Sequence, residues 1–209
     1  MDFESFVYGQ EPLSPILPDS EITSFFWEKE GYSRPKVKFC FYGVEGKGLY
    51  ARFAAEEQNI LARYTQRDEP CWCDSCCELF IAPVEGDGRY INIEMNPNGA
   101  YLSQFGAVRE GRVFVKELTS LAPVVEAWRE GCSWGVSVFV PDELIRVLYG
   151  KADYSTKPGT VMRGNFYKCA DDSVSPHYGA YFPVDDAALG FHNPAKFGKI
   201  IMRGKENEY

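Results

Sequence analysis

Short stretches of alternating apolar and polar residues recur along most of the chain. Residues 36–42 place Val37, Phe39 and Phe41 at every second position, and residues 49–54 alternate again after a Gly-rich turn. A period of two is typical of a β-strand with one buried face, and Gly-rich turns join such strands into hairpins. Further runs of strand length predict strands at residues 77–82, 89–95, 133–140, 161–168 and 199–203.

One segment carries the signals of a short helix. Pro141 is followed by Asp142 and Glu143 in what would be the first turn, and Gly150 stands just past the expected end. Proline near the start, acids in the first turn and glycine after the last turn are typical of a helix, here over residues 142–149. Many short strands with one or two short helices indicate an all-β fold, a two-sheet antiparallel β-sandwich.

The chain is expected to hold one domain. Pro12, Pro15 and Pro18 disfavour a helix near the start, so residues 1–19 are predicted to form an extended N-terminal lead-in. No repeat and no break in composition divides the remainder, which is predicted to be a single domain at residues 20–209. Aromatic residues make up 15% of the chain, an enrichment that favours sheets, where flat rings pack across strands.

The charge and the N-terminus limit the classes of partner. The net charge is −8 and no basic block occurs, so the footprint of a nucleic-acid binder or an anionic-membrane binder is missing. A neutral or small polar ligand fits better. No run reaches the length of roughly 18 apolar residues expected of a transmembrane helix, and the acidic start does not resemble a secretory signal. We therefore expect a cytoplasmic protein, or an extracellular one if a leader has been removed.

Seven cysteines, an odd number, are expected to be reduced thiols in that compartment. Four of them, Cys71, Cys73, Cys76 and Cys77, fall within seven residues. Structural zinc sites usually combine two separated pairs of ligands, and adjacent residues of a strand point to opposite faces. This segment is therefore better interpreted as packed small hydrophobic residues than as a zinc site.

The same segment joins an aromatic ring to a carboxylate. Trp72 precedes an apolar run that ends at Pro83 and holds a single charged residue, Glu78. A buried charge needs a partner, and residues at strand ends often bind ligands. A ring that covers the apolar face of a sugar and a carboxylate that accepts from its hydroxyls would grip a saccharide. The alternative is that Trp72 belongs to the core and that Glu78 pairs with a nearby Lys or Arg.

Four motifs in order along the chain resemble family 9 of the carbohydrate-binding modules, a jelly-roll-like sandwich related to the DOMON superfamily. Trp72-x-Asp-Ser-x-x-Glu78-x-Phe80 resembles the Trp-x-x-Asp-Ser-Val-Glu-x-Phe motif of the family. The segment from Phe191 to Gly198 resembles its closing Trp-x-Asp-Pro-x-Lys-Phe-Gly. Two further segments, residues 90–96 and 164–169, resemble its central strands. The resemblance runs from about residue 20 to residue 203.

The resemblance implies a non-catalytic protein that holds a mono- or oligosaccharide, a chain end included, between aromatic rings with carboxylate hydrogen bonds. It assigns the two rings of the family to Trp72 and Phe191 and the sugar-binding carboxylate to Glu78. The strand arginine of the family falls on Glu94, and its glutamine falls on Tyr167. These five residues are the predicted ligand-binding set. No cofactor is required, although a structural calcium ion, as in the family, is expected to be compatible with the fold.

Two other classes stay open at this point. Glu78 and Glu94 resemble the paired carboxylates of a glycoside hydrolase, so the alternative function is a hydrolase or a hydrolase-accessory protein acting on a saccharide. Because members of the family accompany hydrolases rather than hydrolyse, we expect a binding module and not an enzyme. The haem-binding branch of the DOMON fold needs axial Met or His ligands, for which Met95 and His177 are available.

Overall fold

The structure is a computed structural model that describes residues 2–27, 33–185 and 190–205. Its strands in chain order are β1 Asp2–Tyr8, β2 Ser20–Glu21, β3 Ser24–Phe26, β4 Lys36–Val44, β5 Gly48–Glu56, β6 Cys76–Ala82, β7 Tyr90–Met95, β8 Tyr101–Gly106, β9 Val113–Phe114, β10 Val124–Glu130, β11 Ser133–Pro141, β12 Val161–Cys169, β13 Tyr178–Ala180 and β14 Gly198–Lys205. The α-helices are α1 Val115–Leu118 and α2 Asp142–Tyr149, and 3₁₀ helices occur at Cys71–Cys73 and Pro194–Lys196.

Most strands follow one another across a continuous, curled sheet. The order is β10-β11-β5-β4-β1-β14-β12-β6-β7-β8-β9, with β2 beside β4, β13 beside β12, and β3 beside β13. The sheet folds so that its two halves face each other across the main core. The rings of Phe39 on β4 and Phe166 on β12 stack at 4.1 Å across this core. The predicted all-β sandwich with short helices is confirmed.

β1 joins the two layers and departs from the antiparallel pairing expected throughout. It runs parallel to both of its neighbours, β14 and β4. Phe3, Ser5 and Val7 are buried while the residues between them are exposed, the alternation of a strand with one face in the core. The expected lead-in at residues 1–19 therefore contributes a strand to the domain predicted to begin at residue 20.

The predicted helix forms where the sequence signals place it. α2 spans Asp142–Tyr149, and Gly150 follows it with a φ of 65°, a left-handed conformation that glycine adopts without strain. Leu144, Ile145 and Leu148 bury one face of the helix against the main core. Among the described residues, no helix is both long enough and apolar enough to cross a membrane.

The two faces of β6 point into different environments. Cys77, Leu79 and Ile81 belong to the main core between the layers. Cys76 and Phe80 belong to a second apolar cluster on the outer face. Because alternate residues of a strand share a face, Glu78 also points outward. This outer face of β6, with its neighbours β12, β7 and β8, forms the floor of the candidate site.

Candidate functional site

The loop before β6 is held in place by buried polar side chains, and this fixes Trp72. The carboxylate of Asp74 accepts hydrogen bonds from the backbone nitrogens of Arg63 (2.6 Å) and Tyr64 (3.0 Å). Asp74 is fully buried, so these bonds offset the cost of its charge. Trp72 in the adjoining 3₁₀ helix is 37% exposed, which contradicts the alternative that it is a core residue.

Three of the predicted site residues form one row across the sheet. Tyr167 on β12 lies opposite Glu78 on β6, and Glu78 lies opposite Glu94 on β7. Leu102 on β8 continues the row. Directly opposite residues in antiparallel strands have neighbouring side chains on the same face. The two acids that the sequence suggested could be close are therefore adjacent.

An open pocket of about 440 Å³ lies over this row. Trp72, Glu78, Glu94 and Phe191 line it, so the structure brings four of the five predicted residues together. Tyr167 does not line the pocket. Its ring is fully buried and stacks behind Phe191 at 4.1 Å, and its hydroxyl donates to the Phe191 carbonyl at 3.1 Å. The predicted direct contact between Tyr167 and a ligand is replaced by a supporting role for the Phe191 ring.

An aromatic residue that the sequence interpretation missed also lines the pocket. Trp27 is 40% exposed, and its ring lies 6.2 Å from Phe191 and 5.4 Å from Tyr178. Its φ of 54° falls in the left-handed region, which non-glycine residues rarely adopt. Backbone strain of this kind often accompanies functional sites. The pocket is therefore lined by aromatic rings from the first motif (Trp72), from the closing motif (Phe191) and from the N-terminal part of the chain (Trp27).

Among the described residues, no lysine or arginine nitrogen lies within 4 Å of either acid on the floor. Glu78 accepts from the Cys169 thiol at 2.9 Å, and Glu94 accepts from the Asn92 amide at 2.9 Å. Burial and the neighbouring Glu94 raise the pKa of Glu78 well above its usual value. Burial also raises the pKa of Glu94 to about 7, although Arg112 partly opposes this. The pair therefore keeps a proton near neutral pH, so it can both donate and accept hydrogen bonds.

His192 adds a defined hydrogen-bond donor to the same wall. Its Nδ1 lies 2.6 Å from Arg112 Nη1 and 3.1 Å from the Tyr90 hydroxyl. Because a guanidinium can only donate, Nδ1 must accept, and the ring proton is on Nε2. Burial and the two nearby arginines, Arg112 and Arg109, lower the pKa of His192 to about 3, so the ring is neutral. Nε2 lies 4.0 Å from a Glu94 oxygen at the pocket floor.

Several residues that line the pocket lie outside the four sequence motifs. They include Gln104, Arg109, Arg112, Asp171 and Tyr178. Gln104 could have been found only by predicting β8, in which Leu102 and Gln104 share the face that Glu94 and Asn92 occupy on β7. The two arginines come from the loop before β9 and reach the pocket through tertiary folding alone.

One cluster of possible metal ligands occurs among the described residues, formed by Cys76, Glu78 and Cys169. It offers a single carboxylate with two thiols, a poor match to the oxygen ligands that calcium prefers. The calcium ion therefore stays a prediction without identified ligands. His177 does not fit an axial haem ligand, because Nε2 contacts Lys168 Nζ at 2.7 Å and Nδ1 contacts the Ser175 carbonyl at 2.9 Å.

Glu78 and Glu94, the pair behind the hydrolase alternative, are cross-strand neighbours on one face of the sheet. Their carboxyl groups can therefore form hydrogen bonds to one ligand from the same side.

The model of the family "Carbohydrate-binding family 9" matches residues 16–202 of this chain. Comparison with curated proteins gives no match. Among solved structures, a candidate carbohydrate-binding protein from Bacteroides uniformis is 26% identical with a TM-score of 0.76, and the match covers 96% of this chain and 99% of that one.

Two further structures are of a family 9 carbohydrate-binding module from Caldicellulosiruptor kristjanssonii, each 14% identical to this chain. The complex with glucose has a TM-score of 0.65 and the match covers 100% of this chain and 99% of the module. The complex with cellotriose has a TM-score of 0.64, with coverage of 98% and 95%. At this identity the similarity supports the shared fold.

Proposed function

The chain belongs to carbohydrate-binding family 9, with its non-catalytic, carbohydrate-binding role, and on this premise we propose that a saccharide binds in the pocket over β6, β7 and β8. The observation that carries the proposal is the combination of a hydrogen-bonding floor, formed by Glu78 and Glu94, with exposed aromatic rings at the rim. This combination matches the two chemical faces of a sugar ring.

In this proposal the aromatic rings contact the apolar face of the sugar. Trp27 and Trp72 are partly exposed although they line a pocket, so a bound sugar would cover apolar surface that now faces water. Phe191 offers a more buried ring, fixed from behind by Tyr167. Small-molecule sites combine such apolar walls with a few fixed polar groups, and a volume of about 440 Å³ lies within their range.

The carboxyl groups of the floor form hydrogen bonds to the hydroxyl groups of the sugar. Each sugar hydroxyl is both a donor and an acceptor, and a carboxyl pair that holds one proton presents both functions side by side. His192 Nε2–H adds a donor that cannot switch roles while Arg112 occupies Nδ1. Because the two acids are nearly fully buried while the two tryptophan rings are partly exposed, the arrangement suits a terminal sugar unit that enters end-on.

Calorimetry of the purified chain with glucose and cellotriose, the ligands in the Caldicellulosiruptor complexes, tests the proposal. Trp72→Ala is expected to weaken binding by about 1–3 kcal/mol, the loss of a buried aromatic contact. Glu78→Gln is expected to weaken it by about 1–3 kcal/mol, because an amide cannot share a proton with Glu94 and leaves a buried hydrogen-bonding group without its partner. A wider panel of mono- and oligosaccharides would define which sugar is preferred.

Trp128→Ala is the matched control. Trp128 is 46% exposed on β10, at the opposite edge of the sheet from β8 and β9, and does not line the pocket. It should leave the affinity unchanged. Thermal melts of the three variants separate loss of binding from loss of folding. Failure of every saccharide to bind at millimolar concentration, or equal effects of Trp72→Ala and Trp128→Ala, would refute this site.

A further inference from the structure

Two thiols and a carboxyl group converge at one end of the pocket floor. Cys76 and Glu78 are two residues apart on β6 and point to the same face. Cys169 on β12 lies directly opposite Cys76 in the antiparallel register. One donor atom from each of the three side chains lies within 4.8 Å of the other two, and Cys169 Sγ is 2.9 Å from Glu78 Oε1.

We propose that Cys76, Glu78 and Cys169 form a binding site for a thiophilic divalent metal ion, with Zn²⁺ as the expected occupant. Two thiolates and one carboxylate are ligands that zinc accepts. In a tetrahedral zinc site with bonds of about 2.0–2.3 Å, neighbouring ligand atoms are about 3.3–3.8 Å apart. Donor atoms that already lie within 4.8 Å of one another need only small side-chain movements to surround an ion.

The site can be reached from solvent and leaves one coordination position open. Glu78 and Cys169 line the pocket, whereas Cys76 is fully buried behind them. An ion can therefore enter through the pocket. With three protein ligands, the fourth tetrahedral position faces the pocket, where a water molecule or a ligand oxygen can occupy it.

The local charge also favours a cation. Glu78 and Glu94 are buried next to each other, and neither is within 4 Å of a lysine or arginine nitrogen in the described part of the chain. A divalent ion would offset these acids. On coordination the two thiols become thiolates and release their protons to solvent, so the ion replaces protons that the buried groups otherwise retain.

The site depends on a cysteine that is distant in sequence. The segment Cys71–Cys77 on its own does not converge on one point, because Cys76 and Cys77 lie in different apolar clusters on opposite faces of β6. Pairing of β6 with β12 supplies Cys169 as the second thiol. The structure is therefore consistent with the argument that the cysteines of residues 71–77 do not form a zinc site by themselves. The proposed site instead combines Cys76 and Glu78 with Cys169.

Metal titration of the chelator-treated protein tests the proposal without any sugar, so the result is independent of the proposed function. Cd²⁺ serves as an optical probe, because cadmium thiolates absorb in the near ultraviolet, and calorimetry with Zn²⁺ alone gives affinity and stoichiometry. A Cys132→Ser background removes the exposed thiol, which could bind metal nonspecifically. One ion per chain with a thiolate absorption band is the expected result.

Variants in this background identify the ligands. Cys76→Ser and Cys169→Ser should each weaken Zn²⁺ binding by at least about tenfold, since even loss of a residue that supports a metal ligand costs that much. Cys77→Ser is the control for an equally buried thiol on the other face and should bind as before. Circular dichroism checks that each variant is folded.

Glu78→Gln keeps both thiols and tests the site even if a cysteine variant fails to fold. It should also weaken Zn²⁺ binding by at least about tenfold. Absence of the cadmium–thiolate band, an unchanged affinity in Glu78→Gln, or an equal loss in Cys77→Ser and Cys76→Ser would each overturn the proposal.

Discussion

Two clusters of buried ionisable groups lie on opposite faces of β12, and they differ in the charges that they bring together. On the inner face, Lys168 is fully buried against Glu57 and His177. On the outer face, Tyr167 lies beside Glu78, which adjoins Glu94. The clusters are separated by the thickness of one sheet. One pairs an acid with a cation, and the other pairs an acid with an acid.

The inner cluster is satisfied by its own ion pair and hydrogen bonds, and Glu57 and His177 border a separate cavity of about 270 Å³. Lys168 Nζ lies 3.2 Å from Glu57 Oε2, 2.7 Å from His177 Nε2 and 2.8 Å from the Cys169 carbonyl. Glu57 also accepts from the Ser75 hydroxyl and the Trp134 indole. Burial raises the pKa of Glu57, but Lys168, His177 and these hydrogen bonds together outweigh burial and hold it below its usual value. Such a network holds the loop at Ser75 onto the inner layer.

The outer cluster borders the pocket, and in the part of the chain that the structure describes no lysine or arginine nitrogen lies within 4 Å of its two acids. The pKa values of its acids are raised rather than lowered. For Glu78, burial and the neighbouring Glu94 both raise the pKa, whereas in the inner cluster Lys168 opposes the effect of burial on Glu57. Strongly shifted pKa values of buried groups in a cleft mark a candidate functional site. The comparison therefore distinguishes a buried charge that stabilises the fold from buried acids that are available for binding.

Removing the cation of the inner cluster should have the largest effect on stability. Lys168→Met keeps the length of the side chain but leaves the buried carboxylate of Glu57 without its counter-charge. Breaking a buried pair in this way typically costs about 3–5 kcal/mol. Urea denaturation should show that loss in the free energy of unfolding.

The double variant Lys168→Met/Glu57→Gln is the control for this prediction. Removing both charges should recover part of the lost stability, because no unpaired charge is left buried. A change below about 1 kcal/mol in Lys168→Met would mean that the pair is not structural, and the distinction between the two clusters would fail.

The fold was largely predictable from local pattern, with exceptions that have physical causes. The alternation at residues 36–42 and 49–54 predicts strands that lie within β4 and β5, and the capping signals predict α2. β10 escaped detection because nearly all of its side chains are exposed at the sheet edge, so no buried face marks it. β1 escaped because the polar Ser5 is buried and the apolar Phe6 is exposed, which breaks the apolar–polar alternation in the sequence.

The site was predictable only where a motif carried it. The ordered motifs led to Trp72, Glu78, Glu94 and Phe191, all of which line the pocket. Trp27 belongs to no motif, because its place at the rim depends on the pairing of β3 with β13. The contact of Lys168 with Glu57 likewise joins residues far apart in sequence, and neither residue signals its partner.

A smaller effect should appear in the pH dependence of stability, in which the two clusters are expected to differ between pH 5 and pH 7. The pKa of Glu94 rises to about 7 on folding, so the folded chain holds a proton between about pH 4.5 and 7 that the unfolded chain releases. The stability contributed by this group is full below about pH 4.5 and is lost as the pH rises through 7. Glu94→Gln removes this loss, so its stability relative to the wild type should increase from pH 5 to pH 7 by on the order of 1–2 kcal/mol.

Glu57→Gln is the contrasting control for the pH experiment. The pKa of Glu57 is lowered on folding, so its contribution is present above the unfolded pKa and is lost only at lower pH. The stability difference between Glu57→Gln and the wild type should therefore stay constant between pH 5 and pH 7. Parallel pH profiles of Glu94→Gln and wild type in urea denaturation would contradict the assignment of Glu94 to an unpaired cluster.

The smallest expected effect concerns Tyr167, which faces the open cluster but serves the fold. Tyr167→Phe keeps the ring that stacks on Phe191 and removes only the hydroxyl that donates to the Phe191 carbonyl. Loss of one such hydrogen bond should reduce the free energy of unfolding by about 0.5–1.5 kcal/mol. Saccharide affinity should change little, because the hydroxyl does not reach the pocket. Calorimetry and urea denaturation of the same sample would separate the two effects, and a loss of affinity without a loss of stability would return Tyr167 to the ligand-binding set that the sequence resemblance implied.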